Sequence, residues 1–246
     1  MPAPPTLLLI ADIAGYTRFL KMHQMSLVHA QDIVARLLEA VIDAAEPGLK
    51  LAKLEGDAAF FYSPVPMDEA TLARHSAAIF HAFHAKSADL ATNTLCPCDG
   101  CQQVGELKIK LVSHVGEVAV RRIANMTELA GVDVIVVHRM LKNAVPVTEY
   151  LLVTQSSLPL LEQSVRDRAS ALTMELEGLG PTETFYVDLE ALAGTAAPAR
   201  RLPFLKRLQR HLLLTYRSVP FIVGAKKACL GYRNVADAPQ QPAETA

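Results

Sequence analysis

The sequence predicts an α+β fold in which helices alternate with the strands of a mostly antiparallel sheet. Two pairs of apolar segments, at 50–63 and 173–189, are each joined by a short Gly-containing turn, which is typical of β-hairpins. Two long segments, 26–46 and 68–90, carry apolar residues three or four positions apart, as in helices that pack one face on a core. Because the hairpins join strands directly, a doubly wound parallel sheet is not favoured.

The other elements follow from local patterns along the chain. Leu7 to Ala11 is an unbroken apolar run, as expected for a strand that is buried on both faces. Gly15 permits a turn after that strand, and Thr17 can begin a short helix. Apolar and polar residues alternate from Leu107 to His114, which indicates a strand. We also expect a strand at 118–123, a helix within 132–143, a strand at 150–154 and a short helix at 155–161.

The chain is predicted to divide into a main domain, residues 1–190, and a basic extension, residues 200–235. An Ala/Gly/Pro-rich stretch at 190–199 is the expected boundary. The extension has nine Lys or Arg and no Asp or Glu, and an amphipathic helix is predicted from Pro203 to Arg217. The final residues, 236–246, are rich in Ala, Pro and Gln and are expected to be disordered.

Composition and charge indicate where in the cell the protein is expected and which classes of partner it can bind. No apolar run approaches the roughly 20 residues of a membrane-spanning helix, and the N-terminus lacks the basic region of a signal peptide. We therefore expect a cytoplasmic protein. The chain before Arg200 has 15 Lys or Arg and 23 Asp or Glu, and this net charge of −8 argues against nucleic acid as a partner of the main domain. The basic extension can dock on the main domain or across a dimer, or it can make peripheral contact with an anionic membrane.

Two aspartates occupy positions at which their carboxylates can meet. Asp12 follows the first apolar strand, and Asp57 lies in the Gly56-Asp57 turn of the first hairpin. If this hairpin pairs with the first strand, the two carboxylates converge at one end of the sheet. A pair of carboxylates can hold divalent cations beside phosphate groups. The pattern therefore predicts a metal site.

These motifs, in order, resemble those of the class III adenylate/guanylate cyclase catalytic domain. ADIAGYTRF at 11–19 and KLEGDAAFF at 53–61 are similar to the two metal-binding motifs of that family. LKIKLVSHVGEVAV at 107–120 is similar to the strand pair that leads to the dimer-facing arm, and LEGLGPTETFYV at 176–187 to the closing hairpin. The resemblance implies a ferredoxin-like core and a head-to-tail homodimer with its sites at the interface. CPCDGC and HRMLKN also resemble an uncharacterised group of cyclase-like proteins.

The resemblance implies an enzyme that converts a nucleoside triphosphate, with ATP favoured, to a 3′,5′-cyclic monophosphate and pyrophosphate. By motif position, Asp12 and Asp57 would hold Mg²⁺ or Mn²⁺, with the backbone carbonyl of Ile13 as a further ligand. Phosphate would be bound by backbone N–H groups of the turn that follows, which belong to Gly15, Tyr16 and Thr17.

The resemblance also assigns residues to the base and to the transition state. Lys53 matches the base-reading lysine of adenylate cyclases, and Glu128 matches the companion base-reading position. Arg139 matches the arginine that stabilises the transition state. The asparagine that orients the ribose in the family is Ile135 here, and isoleucine cannot form that hydrogen bond. Two functions therefore stay open: an active cyclase, or a catalytically silent domain that binds nucleotide or a regulatory partner.

The predicted loop 92–105 contains a Cys-x-Cys-x2-Cys pattern made by Cys96, Cys98 and Cys101. Three thiolates at this spacing can bind one metal ion, and tetrahedral zinc needs a fourth ligand. His84 on the preceding helix, with His75 and His81 as alternatives, is the predicted fourth ligand of a structural zinc site. The other interpretation is three reduced cysteines in an exposed loop.

Overall fold

A mixed α+β architecture is present in the computed structural model, which describes residues 5–22, 27–46, 48–63, 68–124, 126–223 and 225. Within these residues the strands are β1 Pro5–Ala14, β2 Lys50–Glu55, β3 Ala58–Ser63, β4 Lys108–Glu117, β5 Ala119–Ile123, β6 Met126–Ala130, β7 Tyr150–Thr154, β8 Ser170–Leu176 and β9 Gly180–Asp188. The helices are α1 Tyr16–Met22, α2 Leu27–Ala45, α3 Thr71–Asn93, α4 Asp99–Gln103, α5 Val132–Arg139, α6 Gln163–Arg166, α7 Leu189–Ala193 and α8 Phe204–Ile222.

Seven of these strands form one sheet in the order β2-β3-β1-β4-β7-β9-β8. Every neighbouring pair in it is antiparallel except β4 and β7, which are parallel. The first four strands, with α1 and α2 before the β2–β3 hairpin and α3 after it, have the connectivity of a split βαβ unit. Strands β5 and β6 pair with each other in a separate ribbon. The predicted α+β fold with an antiparallel-rich sheet is therefore confirmed.

The sheet is covered on both faces, and β1 shows this most clearly. Its odd-numbered residues from Leu7 to Ile13 pack with α2 and α3, whereas Leu8 and Ile10 pack in a second cluster with α5 and the residues that follow it. Successive side chains of a strand point to opposite faces. A strand covered on both sides must therefore be apolar without interruption, which explains the Leu7–Ala11 run. Asp12 comes where this run ends.

The structure adds elements that the local patterns did not predict. Strand β6 pairs with β5, and the pattern of its own five residues does not predict a strand. The predicted loop 92–105 contains α4 and a 3-10 turn at Val104–Glu106. The helix expected within 132–143 is α5, although its sequence is rich in β-branched valine. Val137 and Met140 are fully buried there against the sheet, so packing outweighs local propensity.

Helix α8 docks on the main domain through its basic residues. Arg210 donates to Asp89 at 2.9 Å and Arg217 to Asp32 at 3.1 Å, while Arg207 donates to the carbonyl oxygen of Thr94 at 3.2 Å. This arrangement corresponds to the alternative in which the extension lies on acidic groups of the main domain.

The other side of α8 is apolar and exposed, with Leu205, Leu212 and Tyr216 between 58% and 76% accessible. Contact of this side with an anionic membrane stays a prediction, as do the domain boundaries. The predicted tail 236–246 lies outside the described residues. In the part of the chain that the structure describes, no helix is both long enough and apolar enough to cross a membrane.

Candidate active site

The structure brings Asp12 and Asp57 together at one end of the sheet. In the β1–β3 pair, Asp12 lies opposite Ala58, the residue that follows Asp57. The N–H group of Ile13 donates to the carbonyl oxygen of Asp57 at 3.3 Å, which fixes the hairpin turn against β1. Gly56, with φ 69°, provides the left-handed conformation that this tight turn requires.

The two carboxylates lie in an environment that opposes their charge. Burial raises the pKa of Asp12, and the neighbouring Lys110 opposes that rise. Burial and, after it, the negative charge of Asp12 raise the pKa of Asp57 to about 6. Two partly buried carboxylates that repel each other gain stability from a bound cation or a shared proton. The pair is therefore suited to bind a divalent metal ion.

A lysine accompanies this pair. Lys110 lies directly opposite Asp12 in the β1–β4 register, and its amino group is 5.8 Å from the centre of the Tyr150 ring. Burial also raises the pKa of Tyr150, and the charge of Asp12 adds to that rise. Sequence reasoning did not single out Lys110. Its signal was present, however, because a lysine interrupts the apolar face of β4 two residues before buried Val112.

The turn after Asp12 exposes the backbone at the start of α1. Gly15 has φ 87° and is exposed, so a side chain there would be strained. Its carbonyl oxygen accepts from the N–H group of Phe19 at 2.9 Å. Tyr16 is half-buried and Thr17 is exposed. A cavity beside this turn is lined by Gly15, Arg18, Phe19, Gln103, Glu106 and Leu107.

A second polar cluster joins β2, β6 and α5. The amino group of Lys53 is 3.0 Å from a carboxylate oxygen of Glu55 and 3.6 Å from one of Glu128. Nε2 of His138 lies 2.9 Å from the other carboxylate oxygen of Glu55. Burial opposes the charge of Glu55, but hydrogen bonds from Lys53 and His138 lower its pKa. The hydrogen bond to Glu55 raises the pKa of Lys53. Lys53 and Glu128 are thus brought together within one chain.

Arg139 and Ile135, the remaining predicted positions, lie on α5. The guanidinium of Arg139 pairs with Glu177 in the β8–β9 turn, and no contact with Asp12 or Asp57 is seen among the described residues. Ile135 is 48% accessible on the same helix, next to the exposed Val132. The side chain of Ile135 has no group that can form a hydrogen bond.

The three clustered cysteines meet a histidine on α2. Nδ1 of His29 lies 3.6 Å from the sulfur of Cys96 and 3.7 Å from that of Cys98. The ligand atoms of these three residues and of Cys101 all lie within 4.8 Å of one another. Cys96 and Cys101 are buried. The thiols therefore lie in the helical layer and not in an exposed loop.

The prediction of His84 as the fourth residue of this cluster is wrong. Its Nε2 lies 2.8 Å from a carboxylate oxygen of Glu149, which also accepts from the N–H group of Ile109 at 2.9 Å. His84 therefore faces the start of β4, whereas the cysteines face α2. His29 could have been found from spacing, because His29, Ile33 and Leu37 lie four residues apart on one helix face, and the last two are buried.

Comparison with known sequences identifies relatives without an assigned activity. A family model described as "Protein of unknown function (DUF2652)" matches residues 34–150. A protein of Mycobacterium tuberculosis (strain ATCC 25618 / H37Rv), described as "Uncharacterized protein Rv2561/Rv2562", is 42% identical over 212 residues. The match covers 86% of this chain and 99% of the mycobacterial protein, so the two share one architecture over almost the whole of that relative.

Comparison with solved structures identifies the fold. An adenylate cyclase from Trypanosoma brucei in its monomeric state is 17% identical with a TM-score of 0.54, over 80% of this chain and 94% of that one. The guanylate cyclase domain of RhGC from Catenaria anguillulae, in complex with GTP, is 16% identical with a TM-score of 0.54. That match covers 76% of this chain and 97% of the RhGC domain. The adenylyl cyclase CyaB from P. aeruginosa is 14% identical with a TM-score of 0.51, over 81% of this chain and 97% of that one. The chain has the fold of class III nucleotidyl cyclase domains.

Proposed function

Because this chain belongs to the same family as the uncharacterised mycobacterial protein Rv2561/Rv2562 and has a cyclase fold, we propose that it is a nucleotidyl cyclase. It would convert a nucleoside triphosphate, with ATP favoured, to a 3′,5′-cyclic monophosphate and pyrophosphate. One observation carries this proposal: the juxtaposed Asp12 and Asp57 are two partly buried carboxylates whose raised pKa values indicate a site that favours added positive charge. A cyclase needs such a site beside the triphosphate.

The residues of this site fit Mg²⁺ or Mn²⁺. Both ions prefer oxygen ligands, and Asp12 and Asp57 offer carboxylates from β1 and from the adjacent turn. The backbone carbonyl of Ile13 is a further candidate ligand. When bound, the metal ions would lower the pKa of the ribose 3′-hydroxyl and offset the phosphate charge. The chain itself holds the carboxylates in place through the β1–β3 pairing.

Recognition of the substrate would use the two neighbouring features. The exposed backbone at Gly15, together with Tyr16 and Thr17, would approach the phosphates, and Arg18 supplies a positive charge in the adjoining cavity. Lys53 and Glu128 offer a donor beside an acceptor, 3.6 Å apart. Adenine presents ring-nitrogen acceptors and an amino donor on its edge. That complementarity is our reason for favouring ATP.

A homodimer would complete the active site. Around β5, β6 and α5 the chain exposes Val120, Ile123, Val132 and Ile135, each between 48% and 60% accessible. An apolar surface of this kind is suited to a second copy of the chain. Arg139 contacts Glu177 of its own chain, so we propose that it reaches the phosphates of a site on the partner only after this pair separates.

The alternative function is a silent domain that binds nucleotide or a regulatory partner without turnover. The exposed Ile135 favours it, because the side chain that would orient the ribose is missing. The metal pair and the Lys53–Glu128 pair could still bind a nucleotide in such a protein. Binding and turnover must therefore be measured separately.

A turnover screen with four nucleotides tests both functions. ATP, GTP, CTP and UTP are each incubated with the protein and Mn²⁺ or Mg²⁺, and the products are separated by chromatography. Asp12→Ala serves as the inactive variant and Asp43→Asn, an exposed acid on α2, as the matched control. We expect a cyclic product that disappears only in Asp12→Ala. Absence of any product from all four nucleotides would overturn the cyclase proposal.

The same samples distinguish the silent domain from other outcomes. A nucleotide that raises the Tm of the folded protein without turnover would support the binding module. Neither binding nor turnover would exclude both functions and leave an interaction scaffold on a cyclase fold.

A further inference from the structure

The cluster of His29, Cys96, Cys98 and Cys101 has no role in the cyclase reaction. It lies in the helical layer, where His29 is in the first turn of α2, Cys96 and Cys98 follow α3, and Cys101 belongs to α4. A histidine that is distant in sequence therefore joins three neighbouring cysteines, and one nitrogen and three sulfurs lie within 4.8 Å of one another. No disulfide joins these three cysteines, and an odd number of thiols cannot be fully paired within the cluster.

The spacing of the donor atoms matches a single tetrahedral ion. Zinc–sulfur bonds of about 2.3 Å and zinc–nitrogen bonds of about 2.0–2.1 Å in a tetrahedron set nitrogen and sulfur roughly 3.5–3.6 Å apart. The two nitrogen–sulfur distances at His29 are 3.6 and 3.7 Å. Both nitrogen–sulfur distances are thus close to the value that one bound zinc ion would impose, and all four ligand atoms lie within 4.8 Å of one another.

We propose that this chain binds one structural Zn²⁺ ion through Nδ1 of His29 and the thiolates of Cys96, Cys98 and Cys101. Three sulfurs and one imidazole nitrogen are a soft donor set that suits zinc and does not suit Mg²⁺ or Ca²⁺. An iron–sulfur cluster needs its ligands spread around several metal atoms, whereas these four converge on one point. The protein supplies all four ligands, which is the arrangement of a structural zinc site and not of a catalytic one.

The proposed ion would fasten two parts of the helical layer to each other. It would join the first turn of α2 to the segment between α3 and β4. That segment is also held by Ser87, whose hydroxyl donates to the carbonyl oxygen of Val104 at 3.0 Å. It contributes Gln103, Glu106 and Leu107 to the cavity beside Gly15. The zinc site would thereby stabilise one wall of the proposed nucleotide site from a distance.

Metal analysis of the purified protein tests this proposal independently of cyclase activity. The full chain is expressed with zinc in the medium, purified under reducing conditions and analysed by mass spectrometry for bound metals. We expect about one zinc ion per chain, as in other structural sites of four protein ligands. Cys98→Ser and His29→Ala should lose most of that zinc. Zinc content should be unchanged in Cys229→Ser, a cysteine outside the cluster, and in His84→Gln.

A second measurement covers variants that fail to fold. Wild-type protein is stripped of zinc with a chelator and titrated with Co²⁺, whose visible absorption reports tetrahedral geometry and whose charge-transfer bands report thiolate ligands. A 1:1 end point with both signals, reversed by added zinc, supports the site. Wild-type protein that contains no zinc, gives no such Co²⁺ spectrum and has three freely titrating cluster thiols would overturn the proposal. Zinc retained in both ligand variants would overturn the assigned residues.

Discussion

Two regions of this molecule gather side chains that can bind metal ions, and the two groups differ in donor type and in burial. The carboxylate pair, Asp12 and Asp57, consists of hard oxygen donors at a sheet end beside a turn that is open to solvent. The thiol cluster, His29 with three cysteines, consists of soft donors in which two of the cysteines are buried. The first suits a cation that must exchange with substrate and the second suits a permanent one.

The comparison predicts a catalytic role for the carboxylate pair and a structural role for the thiol cluster. The carboxylate pair is incomplete by itself, because two carboxylates leave most ligand positions of Mg²⁺ to water and phosphate. The thiol cluster is complete, because four protein ligands fill a zinc tetrahedron. Removal of the first should therefore abolish turnover with little effect on the fold, and removal of the second should have the opposite effect.

The largest expected effect follows from the carboxylate pair. Asp57→Asn keeps the size of the side chain but removes the charge that repels Asp12 and attracts a metal. We expect cyclase activity to fall on the order of 10²–10³-fold or more, measured as product formed per minute with Mg²⁺. The Tm of the metal-free protein should not fall, because a like-charge repulsion is lost. Zinc content should equal that of wild type. Unchanged cyclase activity would show that Asp57 does not bind the catalytic metal.

Removal of zinc should chiefly affect stability. At zinc concentrations about 1,000 times Kd, binding stabilises the folded state by about 4 kcal/mol. For a chain of this size that corresponds to a fall in Tm of about 10 °C when the ion is removed. Differential scanning calorimetry of Cys98→Ser against Cys229→Ser measures this. Equal Tm values for the two variants would show that the cluster does not stabilise the fold.

The pH dependence of metal binding should report the protonation of the carboxylate pair, and near pH 6 chiefly that of Asp57. Its folded-state pKa is about 6, above the ordinary value of about 3.9. Mg²⁺ competes with the proton, so Mg²⁺ affinity should fall up to about tenfold per unit as the pH drops below 6. Calorimetric titration at several pH values checks this, with Asp57→Asn as the variant in which the dependence near pH 6 weakens.

The same raised pKa predicts the stability of the protein without Mg²⁺. A carboxyl group whose pKa is higher in the folded state binds its proton more tightly there. Its stabilising contribution is complete below about pH 4 and is lost as the pH rises through about 6. Urea unfolding of wild type and Asp57→Asn, compared between pH 4 and 7, should show a larger loss of stability in wild type. Identical profiles would contradict the pKa of Asp57.

Loss of the predicted base-reading lysine should change the kinetics less than loss of a carboxylate does. Lys53→Ala removes the donor of the Lys53–Glu128 pair, and we expect KM for ATP to rise about tenfold, equivalent to about 1.4 kcal/mol. Lys50→Ala, an exposed lysine on the same strand, is the matched control. Steady-state kinetics with ATP and GTP measures the ratio of their kcat/KM values. A ratio that does not change would mean that Lys53 does not read the base.

The smallest expected effect concerns the docking of α8. The Arg210–Asp89 pair is partly exposed, with side chains 43% and 29% accessible. Such pairs contribute about 0–1 kcal/mol, so Arg210→Ala should lower the Tm by no more than about 4 °C. Lys206→Ala serves as the control on the same helix. A larger fall would indicate that α8 is an integral part of the core.

The sequence by itself predicted much of the sheet, the carboxylate pair and the three cysteines of the thiol cluster. The Leu7–Ala11 run required a strand covered on both faces, and the Gly56-Asp57 turn required a hairpin, because these are short-range steric and burial effects. Asp12 and Asp57 were expected to meet for the same reason: strand pairing fixes their register once the hairpin lies beside β1. The Cys-x-Cys-x2-Cys spacing similarly predicted that three cysteines would contribute to one metal site.

Only the tertiary structure decided which histidine joins those cysteines and which charges surround the carboxylates. His84 is nearer to them in sequence than His29, yet the phase of α3 directs it to Glu149 and the packing of α2 on α3 brings His29 to the thiols. Lys110 meets Asp12 because β4 pairs with β1 across nearly a hundred residues. A helix period or a strand alternation determines which face a residue occupies. What that face meets depends on long-range packing, which no local pattern contains.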